Sequence, residues 1–320
     1  MSRPRDGASG GWTAERERSN LLALRLMRWV AIGAGRRMTR LLLHPISVYY
    51  LLVNGRARRA SLDYLVRVLD RPASLADVYR HIHCFASTVL DRVYFLQERH
   101  EQFEVTASGV ETVLPVLAQG EGVILIGAHL GSFEALRASA HAPGVKVAML
   151  MFEENARLIN AALAVVAPHA QLRTIALGKP GAMLALRRWL DDGGLAGLLA
   201  DRTLPGGSQR SNILAIDFLG EPARFSDGPF RLAALLRRKV VFMAGLYQGG
   251  NRYTMRFVEL ADFRPGAATA GLDIDIDTRV RESLNRYVAL LETLCRESPY
   301  NWFNFYDFWA ADATEFPDPR

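Results

Sequence analysis

Gly122-Val123-Ile124-Leu125-Ile126-Gly127-Ala128-His129-Leu130-Gly131-Ser132-Phe133-Glu134 is the stretch from which the fold can be read. Val123 to Ile126 is an apolar run, rich in β-branched residues and of the length a buried strand needs. Gly127 and Gly131 bracket a turn. Ser132 stands at a helix-capping position, and a helix is predicted through Glu134 and Arg137 to about Ala142, stopped by Pro143-Gly144. His129 is therefore expected at a strand end and Glu134 in the first turn of the next helix. Open α/β sheets bind ligands at such strand ends. A helix N-terminus favours an ionised glutamate, which in this reading holds one ring N–H of His129. The other ring nitrogen is left as a general base toward an alcohol. The plainer reading is a capped histidine that only closes a βα turn.

Working outward, Phe103 to Thr106 precedes this stretch as a strand. Val145 to Met151, Leu172 to Leu177, Leu195 to Ala200, Ile213 to Phe218, Val240 to Tyr247 and Tyr253 to Glu259 follow it. Helical patterning occupies Asn155 to Val166, Gly181 to Leu190, Pro229 to Leu236 and Thr278 to Arg296, the last capped by Asp277 or Thr278. The alternation predicts an α/β fold with a mixed, largely parallel central sheet covered by helices on both faces. Upstream, Arg56 to Leu69 and Leu75 to Leu96 read as amphipathic helices, with Ser74 capping the second. His81 and His83, two apart, fall on different helix faces and do not make a metal pair.

Half of the residues are apolar and no tract is of low complexity, so the chain is globular. Cys84 and Cys295 match no metal or redox spacing and suit a reducing compartment. Charge is uneven: residues 1–60 hold twelve arginines against Asp6, Glu15 and Glu17, a balance of +9 in a chain whose total is +6. Residues 1–20 read as a loose leader without a signal-peptide pattern. Residues 21–100 read as a helical, basic, amphipathic membrane-associating region, and 101–320 as the catalytic α/β domain. Within the former, Leu41 to Val53 is thirteen residues without a formal charge, short of the ~20 a full span needs. It reads as an interfacial helix, as a tilted span with snorkelling arginines, or as a helical layer packed on the core. Anionic lipid offers about 1 kcal/mol per nearby basic residue, which a packed layer would forgo.

His129 followed, after four residues, by the acidic Glu134 resembles the hallmark of the lysophospholipid acyltransferase superfamily. "GAHLGSFE" is most similar to the bacterial lipid A late acyltransferase branch, the lauroyl and myristoyl transferases. Two further blocks extend the likeness. "LAGLLADRTLPGGSQRS" ends a strand at Asp201-Arg202, where those enzymes carry an Asp-containing block beside the acyl site. "AIDFLGEPARFSDGPFRLAALLRRKVVFMAG" resembles their segment leading through Gly-Pro into a helix, which Gly228 would open here. The motif interior, Leu-Gly-Ser-Phe, departs from their usual Asn-Trp-bearing form, and no clear single span is present; both leave the acceptor open.

The resemblance implies an acyltransferase at the bacterial inner membrane, on its cytoplasmic face. An acyl-carrier-protein or acyl-coenzyme A thioester would be the donor and a hydroxyl-bearing membrane lipid or glycolipid the acceptor. No nucleic acid, metal or further cofactor is implied. His129 and Glu134 would form the catalytic dyad, with backbone N–H groups around Gly131 and Ser132 facing the oxyanion. Asp201, Arg202 and Gly228 join Gly131 and Ser132 as substrate-binding candidates. Arg202, Arg210 and Arg224 are candidates for gripping a phosphate, the alternative for each being a solvated surface arginine. The aromatic "SPYNWFNFYDFW" is either a packing lid or an interfacial anchor. Asp273-Ile-Asp275-Ile-Asp277 reads as a helix-capping loop rather than a metal or phosphatase motif. The rival functions are a thioesterase using the same pair on water and a non-catalytic lipid-binding protein.

Overall fold

A computed structural model describes residues 33–136, 146–152, 173–202, 212–267 and 275–309. The predicted leader at 1–20, the helix at 155–166, Arg210 and Asp273 lie outside these residues, as do the helix from Glu134 beyond 136 and the Gly-Pro loop after Arg202. In chain order the helices are α1 (33–53), α2 (Gly55–Leu69), α3 (Leu75–Leu96), α4 (Leu114–Ala118), α5 (Ala182–Asp191), α6 (Gly228–Leu236) and α7 (Ile276–Glu297). The strands are β1 (Glu104–Ser108), β2 (Ile124–Gly127), β3 (Val147–Phe152), β4 (Arg173–Leu177), β5 (Leu195–Leu199), β6 (Ile213–Phe218), β7 (Glu221–Ser226), β8 (Lys239–Tyr247) and β9 (Arg252–Asp262).

Seven strands form one sheet in the order β1-β9-β8-β2-β5-β3-β4. From β8 to β4 every pairing is parallel; β9 turns back antiparallel to β8, and β1 pairs parallel with β9. The fold is thus the mixed, largely parallel α/β sheet expected. β2 lies at its centre, buried throughout. Its alternation serves two cores. Ile124 and Ile126 pack with Phe242, Tyr287 and Leu291 on one face, and Val123 and Leu125 with Val93, Tyr94 and Met243 on the other. Two-sided burial is why the strand reads as a continuous apolar run.

Ser74 caps α3 in a reciprocal box with Asp77, as expected, whereas α7 begins two residues earlier than expected: its cap is Asp275, which accepts the Asp277 N–H, not Asp277 or Thr278. One strand was hidden. β7 pairs with β6 in a separate hairpin whose two-residue turn, Leu219-Gly220, has both residues at positive φ. Such a turn usually announces itself as Asn-Gly, and Pro222 inside the strand masks it further.

Residue 100 is not a boundary between cores. Tyr64, Leu65 and Val68 of α2 and both faces of α3 are built into the same two clusters as the sheet. α1 joins these clusters only through Leu43 and, at its end, Leu51. It buries Thr39, Leu43 and Ser47, a stripe one residue wide, and exposes Leu41, Ile46, Tyr49, Leu52 and Val53. Among the described residues no helix is long and apolar enough to cross a membrane.

The turn after β2 is fixed by close backbone approach. Gly131 has φ +70°, and a Cβ there would run into the Gly245 carbonyl of β8. Left-handed strain of about 1–2 kcal/mol would add to about 1–3 kcal/mol of overpacking. Gly131→Ala should therefore lower unfolding free energy by about 3 kcal/mol in urea titration; an unchanged midpoint would show that the turn is plastic.

Candidate active site

In the parallel pairing of β2 with β5, Gly127 stands opposite Leu199. Two residues further along each chain, His129 and Asp201 leave the sheet side by side. His129 Nδ1 lies 2.8 Å from Asp201 Oδ1, and the His129 backbone N–H donates to Oδ2 at 3.0 Å. An ionised carboxylate only accepts, so Nδ1 carries the proton and Nε2 is the open lone pair when the ring is neutral. The His129 side chain is 30% exposed, and Nε2 has no partner among the described residues.

Asp201 is fully buried, and the fold surrounds it with donors. Besides His129 it accepts from Trp302 Nε1 at 3.0 Å and Asn304 Nδ2 at 3.3 Å. Burial opposes its ionisation, but the His129 charge and hydrogen bonds, together with the Arg202 guanidinium, outweigh that and hold its carboxyl well below the usual range. Arg202 is correspondingly occupied. Its Nε donates to Asn304 Oδ1 at 3.0 Å, its Nη2 to the Phe303 carbonyl at 3.2 Å, and the guanidinium lies over Tyr306. The structure thus uses Arg202 to brace residues 303–306, not as an open phosphate grip.

The expected partner of His129 is corrected. Glu134 makes no hydrogen bond or ion pair to His129. Its carboxylate accepts from Ser132 Oγ at 3.0 Å and pairs with Arg92 Nε at 2.8 Å. The expected oxyanion donors are corrected as well: the Gly131 N–H goes to the Asn301 carbonyl and the Ser132 N–H to the Gly245 carbonyl, both at 2.8 Å. The motif supplies the histidine, but Asp201, 72 residues on, orients it. Gly228 opens α6 and donates to Ser226 Oγ, with no bond to the His129 network. Arg224 is exposed on β7.

Three contributors were not foreseen. Trp302 was read only as part of an aromatic segment. It pairs through Leu130 with the active turn, while Phe303 N–H donates to the His129 carbonyl at 2.7 Å. His81, expected only not to pair with His83 on a metal, is buried behind it, its Nε2 2.8 Å from the Trp302 carbonyl and its Nδ1 2.7 Å from Ser61 Oγ. A carbonyl only accepts, so Nε2 carries the hydrogen and Ser61 donates to Nδ1. Arg92, on α3, was unmarked. Its tie to Glu134 joins elements 42 residues apart, and only the fold brings them together.

The sequence profile of the bacterial lipid A biosynthesis acyltransferases matches residues 81–309. The chain belongs to that family. The match spans the His129 turn, the Asp201 strand end and the Trp302 segment. Comparison with curated proteins finds no match. In this acyltransferase the matched region holds His129 and Asp201 side by side at the ends of β2 and β5.

His81 gives the enzyme a pH signature. Burial pushes its pKa down to about 4, against the weaker opposing effect of the Trp302 carbonyl. Between roughly pH 6.5 and 4 the unfolded chain binds a proton that the folded chain refuses, so stability falls as pH falls through that window. The full loss is of order 3 kcal/mol. Urea midpoints should decline from pH 7 to pH 5 in the native protein and flatten in His81→Gln; equal slopes in both would clear His81 of this role.

Proposed function

We propose that this acyltransferase moves a fatty acyl chain from an acyl-carrier-protein or acyl-coenzyme A thioester to a hydroxyl of a lipid or glycolipid at the cytoplasmic face of the bacterial inner membrane. The observation that carries the proposal is His129 with Nδ1 held by buried Asp201 and Nε2 open. Nε2 takes the acceptor hydroxyl proton as the oxygen attacks the thioester carbonyl. Asp201 keeps the productive tautomer and stabilises the imidazolium, as a third group does in other base-assisted acyl transfers. When the tetrahedral intermediate collapses, the C–S bond breaks and the imidazolium proton passes to the leaving thiolate. The step uses no metal or further cofactor. Glu134 acts through the turn, with Ser132 and Arg92, rather than on the ring.

A base in the transition state contributes about 10²- to 10⁴-fold, so His129→Ala should lose acyl transfer by that order while circular dichroism stays native. Asp201→Asn removes the charge and the tautomer control, and should add little on top of His129→Ala because the two act as one unit. Glu134→Gln should multiply with His129→Ala. If Glu134→Gln is the silent partner and Asp201→Asn multiplies, the assignment is reversed. Near-normal transfer by folded His129→Ala removes the mechanism, and acyl release to water unaffected by lipid would favour a thioesterase.

Membrane contact is assigned to α1, whose exposed apolar side chains form a surface a protein in water does not leave uncovered without use. Part of its basic character is spent internally. Arg36 pairs with Asp91, and Arg40 bonds Tyr247 Oη and the Gly250 carbonyl; Arg58 of the following helix, α2, is likewise turned back onto the α1 Leu51 carbonyl. Apolar insertion, not charge, is therefore given the larger share. Leu41→Asp with Ile46→Asp should abolish flotation with lipid vesicles, while high salt leaves native flotation largely intact. Flotation lost in salt and kept by the double variant would restore the electrostatic reading.

A further inference from the structure

Beneath α1 lies a groove of ≈ 750 Å³ that the mechanism leaves unused, walled by α1, His83 of α3, the turn His100–Gln102 with Glu104 of β1, and the β8–β9 turn. Its size falls in the range of ligand clefts, roughly 300–1,000 Å³. The charges on its walls are sorted. Arg37 and Arg40 stand on the α1 side; Glu101 and Glu104 stand on the side of the His100–Gln102 turn and β1. Arg36 also lines it, but is cancelled by a bidentate pair with Asp91 at 2.7 and 2.8 Å. What remains is two guanidiniums against two carboxylates, no net charge and a clear separation.

Such a groove repels neither sign as a whole, but a simple anion meets the carboxylates and a simple cation meets the arginines. A ligand carrying both, one group apart, satisfies both walls. Arg40 is already fixed by Gly250 and Tyr247, so ordering it costs little on binding. Arg37 has no hydrogen bond or ion pair with any described residue. His83, stacked on His44 at 4.6 Å, lines the groove beside the α1 arginines. The groove borders the exposed apolar face of α1 through Leu41.

We propose that this groove seats the head group of a zwitterionic phospholipid, its phosphate toward Arg37 and Arg40 and its ammonium toward Glu101 and Glu104, while the acyl chains lie along α1. The proposal builds on membrane contact through α1, yet its first test needs no bilayer and no acyl donor. Glycerophosphoethanolamine, glycerophosphate and ethanolamine are titrated separately into the full chain while the His44 and His83 ring resonances are followed by NMR. The zwitterion should shift both rings and saturate, binding about five- to tenfold more tightly than either half, the scale of one or two partly exposed ion pairs. Arg37→Gln should weaken all phosphate-bearing probes. Glu101→Gln with Glu104→Gln should weaken the zwitterion to the level of glycerophosphate; all three residues are exposed, so the fold is expected to persist and is checked by circular dichroism. Equal binding of glycerophosphate and the zwitterion, or no movement of either ring, overturns the proposal and leaves acyl transfer and α1 insertion standing. Flotation separates a lipid from a free small molecule. Arg37→Gln should reduce recovery with phosphatidylethanolamine-containing vesicles, and unchanged recovery rules out the lipid head group.

Discussion

A carboxylate held out of water dictates how the centre of this protein is built. Asp201 is fully buried, and a buried charge is tolerated only when its oxygens are paired and hydrogen-bonded. Four donors meet it: the ring and backbone of His129, the Trp302 indole and the Asn304 amide. They come from the β2 turn and from the segment after α7. The charge therefore cannot be satisfied unless distant parts of the chain have met, and His129 is oriented by the same event that completes the fold.

The segment from Asn301 to Asn304 acts as a buckle over the strand ends. The Asn301 side chain exchanges two hydrogen bonds with the Tyr247 backbone at the end of β8, and its carbonyl takes the Gly131 N–H. Trp302 packs edge-on against Tyr64 and Phe218, so the polar contacts rest on an aromatic floor. The glycines of the motif serve this closure. Gly131 and Gly245 are each other's neighbours because a side chain at either would meet backbone. Their value is steric, and it leaves their N–H groups to the scaffold rather than to an oxyanion.

α1 follows a different rule. Its thin buried stripe anchors it, and arginines that look membrane-directed in the sequence turn inward to buried Asp91 and to the β8–β9 turn. Burial pushes the Asp91 pKa up, and Arg36 with Tyr253 counters it, so the pair pins α1 to α3 and β9. What α1 offers outward is mainly apolar. A count of formal charge cannot tell a guanidinium facing lipid from one facing a carboxylate.

The parallel sheet, the limits of α3 with its Ser74 cap, and His129 at the end of β2 were all legible in the sequence, because periodicity, capping and strand-end position are local properties. Glu134 as the histidine's partner was a local inference too, from five residues of spacing, and there locality misled. The register of β2 against β5 puts Asp201 beside His129, while α3 brings Arg92 to Glu134. The buried role of His81 and the hairpin strand β7 were hidden for the same reason. Sequence patterns report which residues can do chemistry and where elements begin; which acid faces which base depends on register and packing between segments far apart, and only the tertiary structure decided that.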